Sequence, residues 1–205
     1  MTDRKALAGT PDEQIRLLLQ KITDAGNSGV DWIQIREKDL PGRALTELVR
    51  EAIPRVPETC RILVNDRLDV ACTTGAAGVH LGGQSLPVPE VRRFLREQQI
   101  KNDFLVGSSS HSLEEAKAAE DAGADYVFFG PIYATPSKVA FGEPQGVERL
   151  AGVSRRLRIP VIAIGGIAAK NAHECTEAGA SGVAAIRLFQ DTSDGKSLSR
   201  DLLTG

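Results

Sequence analysis

The sequence is poor in aromatic residues, has few cysteines and carries no excess of positive charge. Aromatic residues make up 4% of its 205 residues, and 25 Lys and Arg stand against 27 Asp and Glu, which gives a formal net charge of −2. Such a balance provides no basic surface for nucleic-acid phosphates, so we expect no nucleic-acid partner. The apolar share of 41% is that of an ordinary folded chain.

Long apolar runs and closely spaced cysteines are also missing. The longest apolar stretch, residues 159–169, is much shorter than the about 20 residues of a membrane-spanning helix. The polar N-terminus lacks the apolar core of a signal peptide. Cys60, Cys72 and Cys175 are far apart, which predicts reduced, buried thiols and no zinc site. We therefore expect a cytoplasmic protein with no membrane partner.

Short apolar, β-branched runs alternate with amphipathic helical stretches. The predicted strands are residues 32–35, 61–64, 78–81, 104–107, 126–129, 160–164 and 182–186, and the predicted helices are residues 41–53, 112–122, 147–157 and 171–178. The similar phrases TGAAGV, AGADYV and AGASGV each join a helical stretch to the next strand. This internal βα repeat predicts an α/β protein with a parallel sheet.

The number of βα units favours a single-domain (β/α)8 TIM barrel over residues 1–205. The opening MTDRK has the form of the end of a first strand that is truncated. An exposed strand position there would favour a homo-oligomer. An open doubly wound sheet is the alternative, but no G-x-G-x-x-G follows the first predicted strand. Residues 191–205 are expected to form a frayed end or a last surface helix.

Unusual polar residues follow the predicted strands at their C-terminal ends, where TIM barrels carry their active sites. They are Arg36-Glu37-Lys38, Asn65-Asp66, Gly82–Ser85, Ser108–His111, Thr135–Lys138, Gly165-Gly166 and Ile186-Arg187. The set combines cations, hydroxyls, glycines and one well-placed acid, which indicates a site for anionic phosphate groups.

Several of these residues leave two interpretations open. Arg36 and Lys38 share strand parity with Gln34 and would clamp a pyrophosphate, unless Glu37 pairs with one of them. Gln34 itself needs a hydrogen-bonding partner inside an apolar strand. Asp66 fits either a Mg²⁺ ligand or the N-cap of a following helix.

The remaining candidates lie later in the chain. Gly165-Gly166 together with Arg187 predicts a phosphate site, and Thr135–Lys138 predicts an anion lid or a polar turn. His111 is either a general acid–base group or part of a helix cap. His80 is expected in the core and His173 at the surface.

Seven motifs occur in the order found in the thiamine phosphate synthases, and the chain resembles that family over residues 30–190. They are QIREK (34–38), VND (64–66), GVHLG (78–82), GSSSH (107–111), GPIYATPSK (130–138), IPVIAIGGI (159–167) and AGASGVAAI (178–186). The resemblance implies a TIM-barrel transferase that joins 4-amino-5-hydroxymethyl-2-methylpyrimidine diphosphate to 4-methyl-5-(2-hydroxyethyl)thiazole phosphate. Pyrophosphate leaves with the help of Mg²⁺.

The resemblance also implies site residues. The pyrimidine diphosphate would contact Gln34, Ile35, Arg36, Glu37, Lys38, Asn65, Ser109 and Lys138, and the thiazole phosphate would contact Thr135, Ser137, Gly165, Gly166, Ile186 and Arg187. Asp66 and Ser85 occupy the metal positions. Arg36, Lys38, Lys138 and His111 are the candidate catalytic residues.

Three departures from the family pattern keep alternatives open, and one of them is the truncated first strand. Ser85 stands where the synthases carry a second metal-binding Asp, and Arg187 stands where they usually carry Ser. The related thiazole tautomerases aromatise a thiazole carboxylate phosphate without Mg²⁺, with the His that matches His111 as the acid–base group. A tautomerase and a non-catalytic phosphate-ligand binding protein are therefore the alternatives to the synthase.

Overall fold

In the computed structural model of the chain, residues 1–100, 103–134 and 143–190 are described, and they alternate between strands and helices. The strands are β1 (Trp32–Ile35), β2 (Arg61–Asn65), β3 (Gly78–Leu81), β4 (Leu105–Ser110), β5 (Tyr126–Phe129), β6 (Val161–Ile164) and β7 (Gly182–Ala184). The helices are α1 (Pro11–Asn27), α2 (Gly42–Ala52), α3 (Leu68–Thr74), α4 (Val88–Glu97), α5 (Leu113–Asp121), α6 (Gly146–Ser154), α7 (Ala169–Glu177) and α8 (Arg187–Gln190). The seven strands form one sheet whose order follows the chain, as in a (β/α)8 barrel, so the predicted fold class is confirmed.

The chain divides into two compact units. Unit 1 comprises Met1–His80, Ile100–Leu105 and the segment that starts at Ile186, and unit 2 comprises Leu81–Gln99 and Val106–Ala185. The single domain over residues 1–205 remains a prediction. No helix in the described ranges is long and apolar enough to cross a membrane.

In unit 1, the parallel register sorts the strand residues onto two faces. Gln34 pairs with Leu63, and Leu63 pairs with Gly78, so these residues share one face. Ile35 and Val64, at most 1% exposed, lie on the other face. The next pair of the first face joins Asn65 of β2 to His80 of β3. Polar groups at the ends of β1 to β3 therefore follow Gln34 on one side of the strands.

The opening residues of unit 1 form a turn where the sequence predicted the end of a first strand. Arg4–Ala6 make a single 3-10 turn, and the Thr2 N–H donates a 2.9 Å hydrogen bond to the Gln34 carbonyl oxygen. Helix α1, which follows, was missed by the sequence analysis. Its signals are a capping box between Thr10 and Glu13 and an apolar stripe that buries Leu18, Leu19 and Ile22.

In unit 2, the strands also carry distinct faces. The rings of Tyr126 and Phe128 lie on the same face of β5, with centroids 5.5 Å apart. A Cβ at Gly107 would lie 2.1 Å from the Tyr126 ring, so only glycine lets this tyrosine pack across β4. On β6, Val161 and Ala163 are buried, whereas Ile162 and Ile164 remain half-exposed. The face of β6 that carries these isoleucines is therefore partly accessible.

Some predicted boundaries are wrong. Strand β4 runs through Ser108, Ser109 and Ser110, which pair with Val127, Phe128 and Phe129, whereas the sequence predicted a loop there. Strand β7 ends at Ala184 and not at residue 186. Serine propensity suggests a loop, but pairing with the buried strand β5 overrides it. Helix α4 was not predicted, and α6 ends at Ser154, before residue 157.

The cysteines are free thiols, as expected, but they are not equally buried. Cys60 and Cys175 are buried, whereas Cys72 is only half-buried. Burial is the main cause that raises the pKa of the Cys60 thiol to about 11. The Cys60 thiol is therefore a packing group and not a nucleophile at neutral pH.

Candidate functional site

Arg36 is a half-buried cation without an acidic partner in the described ranges. Its backbone N–H donates a 2.9 Å hydrogen bond to the Thr2 hydroxyl, but its guanidinium pairs with no described carboxylate. The alternative in which Glu37 neutralises Arg36 or Lys38 is wrong. A partly desolvated charge without a counterion favours an anionic ligand.

The Glu37 carboxylate is instead used by the N-terminal segment. It is 4% exposed, accepts a 2.6 Å hydrogen bond from the Thr2 hydroxyl, and accepts bonds from the backbone N–H and the guanidinium of Arg4. Arg4 also pairs with Asp39, and this pairing holds the pKa of the Asp39 carboxyl well below its usual range. Glu37 thus anchors the opening turn, and neither Arg36 nor Lys38 pairs with a carboxylate in the described ranges.

His80 is a core residue, as predicted. It is 2% exposed, and burial together with the Arg36 charge lowers the pKa of its imidazole to about 3. Since the ring is neutral at physiological pH, it adds no second positive charge beside Arg36. The predicted surface position of His173 is also confirmed, because its ring is exposed and lies 3.5 Å from Glu177.

Gln34 is a buried amide whose hydrogen-bonding groups are unused within the described part of the chain. The residue is 3% exposed, and neither its Nε2 nor its Oε1 has a partner there. A buried amide without partners costs about 1–3 kcal/mol, which a ligand with a matching donor and acceptor removes. Gln34 therefore has the properties expected of a group that recognises a heterocycle.

Asp66 does not cap a helix. Arg67 is the N-cap of α3 and makes no side-chain cap bond, while the exposed Asp66 carboxylate has no hydrogen bond to a described residue. The Asp66 backbone is left-handed, with φ at 65°, and its N–H donates to the His80 carbonyl oxygen at 2.8 Å. Left-handed backbone outside glycine is uncommon and concentrates at functional sites. The role of this carboxylate as a metal ligand stays a prediction.

In unit 2, the Ser85 side chain closes a short turn. Its Oγ accepts a 2.8 Å hydrogen bond from the Gly82 N–H, and its own N–H donates to the Gly82 carbonyl oxygen at 3.0 Å. The described ranges hold no group of three or more His, Cys, Asp or Glu side chains that could bind a metal. Ser85 as a metal ligand therefore also stays a prediction.

The Gly165-Gly166 turn follows β6 and needs glycine at both positions. The φ angles are 96° and 69°, and a Cβ would lie 2.6 Å from Pro131 at the first position and 2.7 Å from the Tyr133 side chain at the second. No described acceptor takes the N–H groups of Gly166 or Ile167. The turn therefore offers unbonded N–H groups, which suit an anion.

Helix α7, which follows this turn, has no side-chain cap at its first residue. Its N-cap is Ala168, whose methyl side chain cannot accept a hydrogen bond from the N–H groups of the first turn. The N–H groups of Ala169 and Lys170 find no acceptor in the described ranges. These donors add to the N–H groups of the glycine turn, and the helix dipole favours negative charge at the same end.

His111 has a defined hydrogen-bonding arrangement. Its Nδ1 lies 2.5 Å from the Gly130 carbonyl oxygen, and its backbone N–H donates to Glu115 Oε2 at 2.6 Å. A carbonyl only accepts, so Nδ1 carries a proton, and the lone pair of the neutral ring then lies on Nε2. Because the Ser112 hydroxyl caps α5, the imidazole is not the cap. His111 is exposed, and its Nε2 has no hydrogen-bond partner in the described part of the chain.

The other sequence-predicted site residues have different surroundings. Ile35 is 1% exposed, so its side chain is a packing group. Ser109 is half-buried within β4, Ile186 is half-buried and Arg187 is exposed at the start of α8. Thr135, Ser137 and Lys138 lie outside the described residues.

Sequence reasoning missed Thr2, Arg4 and Asn171. The first two bond to residues 33 to 35 positions away, a separation that no local pattern reveals. Asn171 left a weak signal, because a polar residue at the third helical position can reach back to the N-cap N–H.

Comparisons with known proteins agree with the motif order. The family model described as thiamine monophosphate synthase matches residues 7–189. The chain is 43% identical over 166 residues to the thiamine-phosphate synthase of Anaeromyxobacter dehalogenans, covering 81% of this chain and 72% of the relative. It is 36% identical over 203 residues to the thiamine-phosphate synthase of Syntrophomonas wolfei, covering 98% and 92%.

A solved structure shows the same similarity. The thiamine phosphate pyrophosphorylase of Pyrococcus furiosus superimposes with a TM-score of 0.83 at 30% identity, over 98% of this chain and 91% of that one. Sequence and fold comparisons therefore point to the same group of proteins.

Proposed function

Because the chain belongs to the thiamine monophosphate synthase family, we propose that it is a transferase of thiamine biosynthesis. It joins 4-amino-5-hydroxymethyl-2-methylpyrimidine diphosphate to 4-methyl-5-(2-hydroxyethyl)thiazole phosphate and releases pyrophosphate. The family match over residues 7–189 carries this assignment. The arrangement around Arg36 supports it, since the family reaction builds negative charge on a leaving pyrophosphate.

The reaction breaks one bond and forms one bond. The C–O bond between the pyrimidine methylene and the diphosphate breaks, and its electron pair leaves with the pyrophosphate. The thiazole nitrogen lone pair then forms the new C–N bond to the methylene carbon. No proton is transferred, so the coupling needs charge stabilisation and orientation more than an acid or a base.

Unit 1 supplies groups for the diphosphate substrate. The Arg36 guanidinium, with no described counterion, compensates charge on the leaving pyrophosphate, and Lys38 adds a second cation. The unpartnered amide of Gln34 hydrogen-bonds to the pyrimidine, which carries a ring nitrogen and an amino group. Asn65, half-buried at the end of β2, offers a further amide. Lys138 remains a proposed diphosphate ligand from outside the described residues.

Mg²⁺ fits the chemistry of the Asp66 carboxylate, which is exposed and makes no hydrogen bond or ion pair with a described side chain. When bound, the ion neutralises part of the diphosphate charge. Mg²⁺ keeps several waters and commonly uses one or two carboxylates plus substrate phosphates. The described ranges hold no group of three or more His, Cys, Asp or Glu side chains that could bind a metal. The diphosphate itself would therefore supply many of the oxygen ligands of the ion.

Unit 2 supplies a binding site for a phosphate group. The unbonded N–H groups of the Gly165-Gly166 turn and of the first turn of α7 hold the phosphate of the thiazole substrate. Phosphate held by these backbone groups would orient the thiazole, and Arg187 remains a proposed further contact.

Ser85 gives a test of the metal proposal. We expect Ser85→Asp to lower the Mg²⁺ concentration needed for half-maximal rate, because a carboxylate can keep the hydrogen bond from the Gly82 N–H and still offer an oxygen to the ion. Initial rates measured against Mg²⁺ check this, with Ser85→Asn as a neutral control of similar size. An equal Mg²⁺ requirement in all three proteins would show that this position does not face the metal.

A thiazole tautomerase is the second candidate, favoured by the hydrogen bond that fixes the His111 tautomer. Aromatisation moves a proton, and the lone pair on Nε2 is suited to that step.

Replacing His111 distinguishes the two activities. We expect His111→Gln to keep thiamine phosphate formation within about threefold of wild type, because the coupling transfers no proton, and general acid–base groups contribute about 10²–10⁴-fold only where one moves. Both reactions are assayed in both proteins. Aromatisation by wild type that is lost in the variant, without any coupling in either protein, would support the tautomerase.

A further inference from the structure

The carbonyl oxygens of the Gly165-Gly166 turn accept hydrogen bonds, whereas N–H groups of the same turn donate none to the described part of the chain. The Gly165 oxygen accepts a 3.0 Å bond from the Tyr133 N–H, and the Gly166 oxygen accepts a 3.1 Å bond from Asn171 Nδ2. The Gly166 and Ile167 N–H groups find no described acceptor. Because the carbonyl oxygens are bonded and these N–H groups are not, the turn can bind an anion. Asn171 contributes by bonding the Gly166 carbonyl oxygen.

Asn171 uses both ends of its amide. Its Nδ2 donates to the Gly166 carbonyl oxygen, and its Oδ1 accepts a 2.8 Å hydrogen bond from the Ala168 N–H. One side chain therefore links the glycine turn to the N-cap of α7. Ala168 itself has no side chain that could perform this role.

Asn171 is itself held in place. The Tyr133 hydroxyl donates to Glu174 Oε2 at 2.7 Å and approaches the Asn171 carbonyl oxygen at 3.2 Å. Burial and the bond to Glu174 raise the pKa of the Tyr133 hydroxyl, so it remains a donor. The segment that follows β5 thus contacts both the glycine turn and the first turn of α7.

We infer that Asn171 is a positioning residue that holds the Gly165-Gly166 turn in the conformation that receives the phosphate of the thiazole substrate. It does not touch the reacting atoms. Its amide fixes the Gly166 carbonyl oxygen and the Ala168 N–H, which leaves the neighbouring N–H groups for the phosphate oxygens. The inference rests on the proposed function of this turn.

The test compares phosphate recognition in matched variants. Calorimetry measures the Kd of 4-methyl-5-(2-hydroxyethyl)thiazole phosphate and of its alcohol for wild type, Asn171→Ala, Asn171→Gln and His173→Ala. The ratio of the two Kd values isolates the phosphate contribution, because general damage to the protein weakens both ligands alike. His173 is an exposed residue of the same helix and serves as the control.

We expect the preference for the phosphate ester to fall about tenfold in Asn171→Ala, because loss of the two hydrogen bonds that hold the turn should weaken phosphate binding by about the value of one net hydrogen bond. Asn171→Gln should recover part of it, since Gln keeps a donor and an acceptor at the third helical position. His173→Ala should keep the wild-type ratio. In steady state, the KM for the thiazole phosphate should rise in Asn171→Ala while kcat changes little.

Two outcomes would overturn the proposal in different ways. An unchanged preference in Asn171→Ala would refute the positioning role while leaving the phosphate site intact. No preference for the phosphate ester in wild type would refute the phosphate site itself. If Asn171→Ala does not fold, Asn171→Ser replaces it, because a single hydroxyl cannot bridge both groups, and the same fall is expected.

Discussion

Arg36→Ala is expected to lower kcat by about 100-fold or more, the range for losing one preorganised group that stabilises charge in the transition state. The guanidinium is half-buried and has no acidic partner in the described ranges, so its charge is available to the leaving pyrophosphate. Charge on that group is largest as the C–O bond breaks. The loss should therefore appear in kcat as well as in kcat/KM, measured as thiamine phosphate formed under saturating substrates.

Arg50→Ala is the matched control, because Arg50 is an exposed arginine on α2. It should keep wild-type kinetics. Arg36→Lys separates charge from geometry. We expect it to retain part of the rate, since lysine keeps the positive charge but cannot donate two parallel hydrogen bonds to a phosphate group. A rise in KM alone, with kcat unchanged in Arg36→Ala, would contradict the proposed role. It would show that Arg36 binds the substrate and the transition state equally well.

Gly166→Ala is expected to weaken binding of the thiazole phosphate by roughly 30-fold, which corresponds to about 2 kcal/mol, the value of a hydrogen bond to a charged group. The added Cβ would lie 2.7 Å from the Tyr133 side chain and 2.9 Å from its carbonyl oxygen. The turn must shift to relieve this contact, and the N–H groups that find no described acceptor then move. The Kd of the phosphate ester, measured by calorimetry, checks the prediction.

Gly75→Ala provides the control for backbone strain. Gly75 has φ at 77°, close to the 69° of Gly166, but no atom lies within 4 Å of the Cβ that the substitution would add. Both variants should lose about 1 kcal/mol of stability from the left-handed backbone. Weaker binding in Gly166→Ala alone is the expected result. Equal weakening in both would assign the effect to stability, against a local role of the glycine turn.

The fold was predictable because parallel strands that are buried on both faces leave nearly continuous apolar runs. β1, β3 and β5 match their predicted ranges for this reason. The serine run of β4 was misjudged, since its strand depends on pairing with β5 and not on its own propensity. Helix α1 was not predicted, although its buried residues Leu18, Leu19 and Ile22 recur at helical spacing.

The candidate site was predictable where its residues directly follow the C-terminal ends of predicted strands. Arg36, Asp66 and the Gly165-Gly166 turn could be found in this way. The partners of Glu37 could not be predicted, because its hydrogen bonds to Thr2 and Arg4 join residues that lie 33 or more positions apart. That contact removes Glu37 as a counterion of Arg36, so the lack of a described counterion depends on tertiary structure.

The central claim is tested most directly by incubating the purified protein with both substrates and Mg²⁺ and measuring thiamine phosphate and pyrophosphate together. We predict that the two products form in equal amounts, only when both substrates are present, and that the rate falls by about 100-fold or more in Arg36→Ala and not in Arg50→Ala. Binding of both substrates without formation of either product would contradict the assignment of this chain as a synthase.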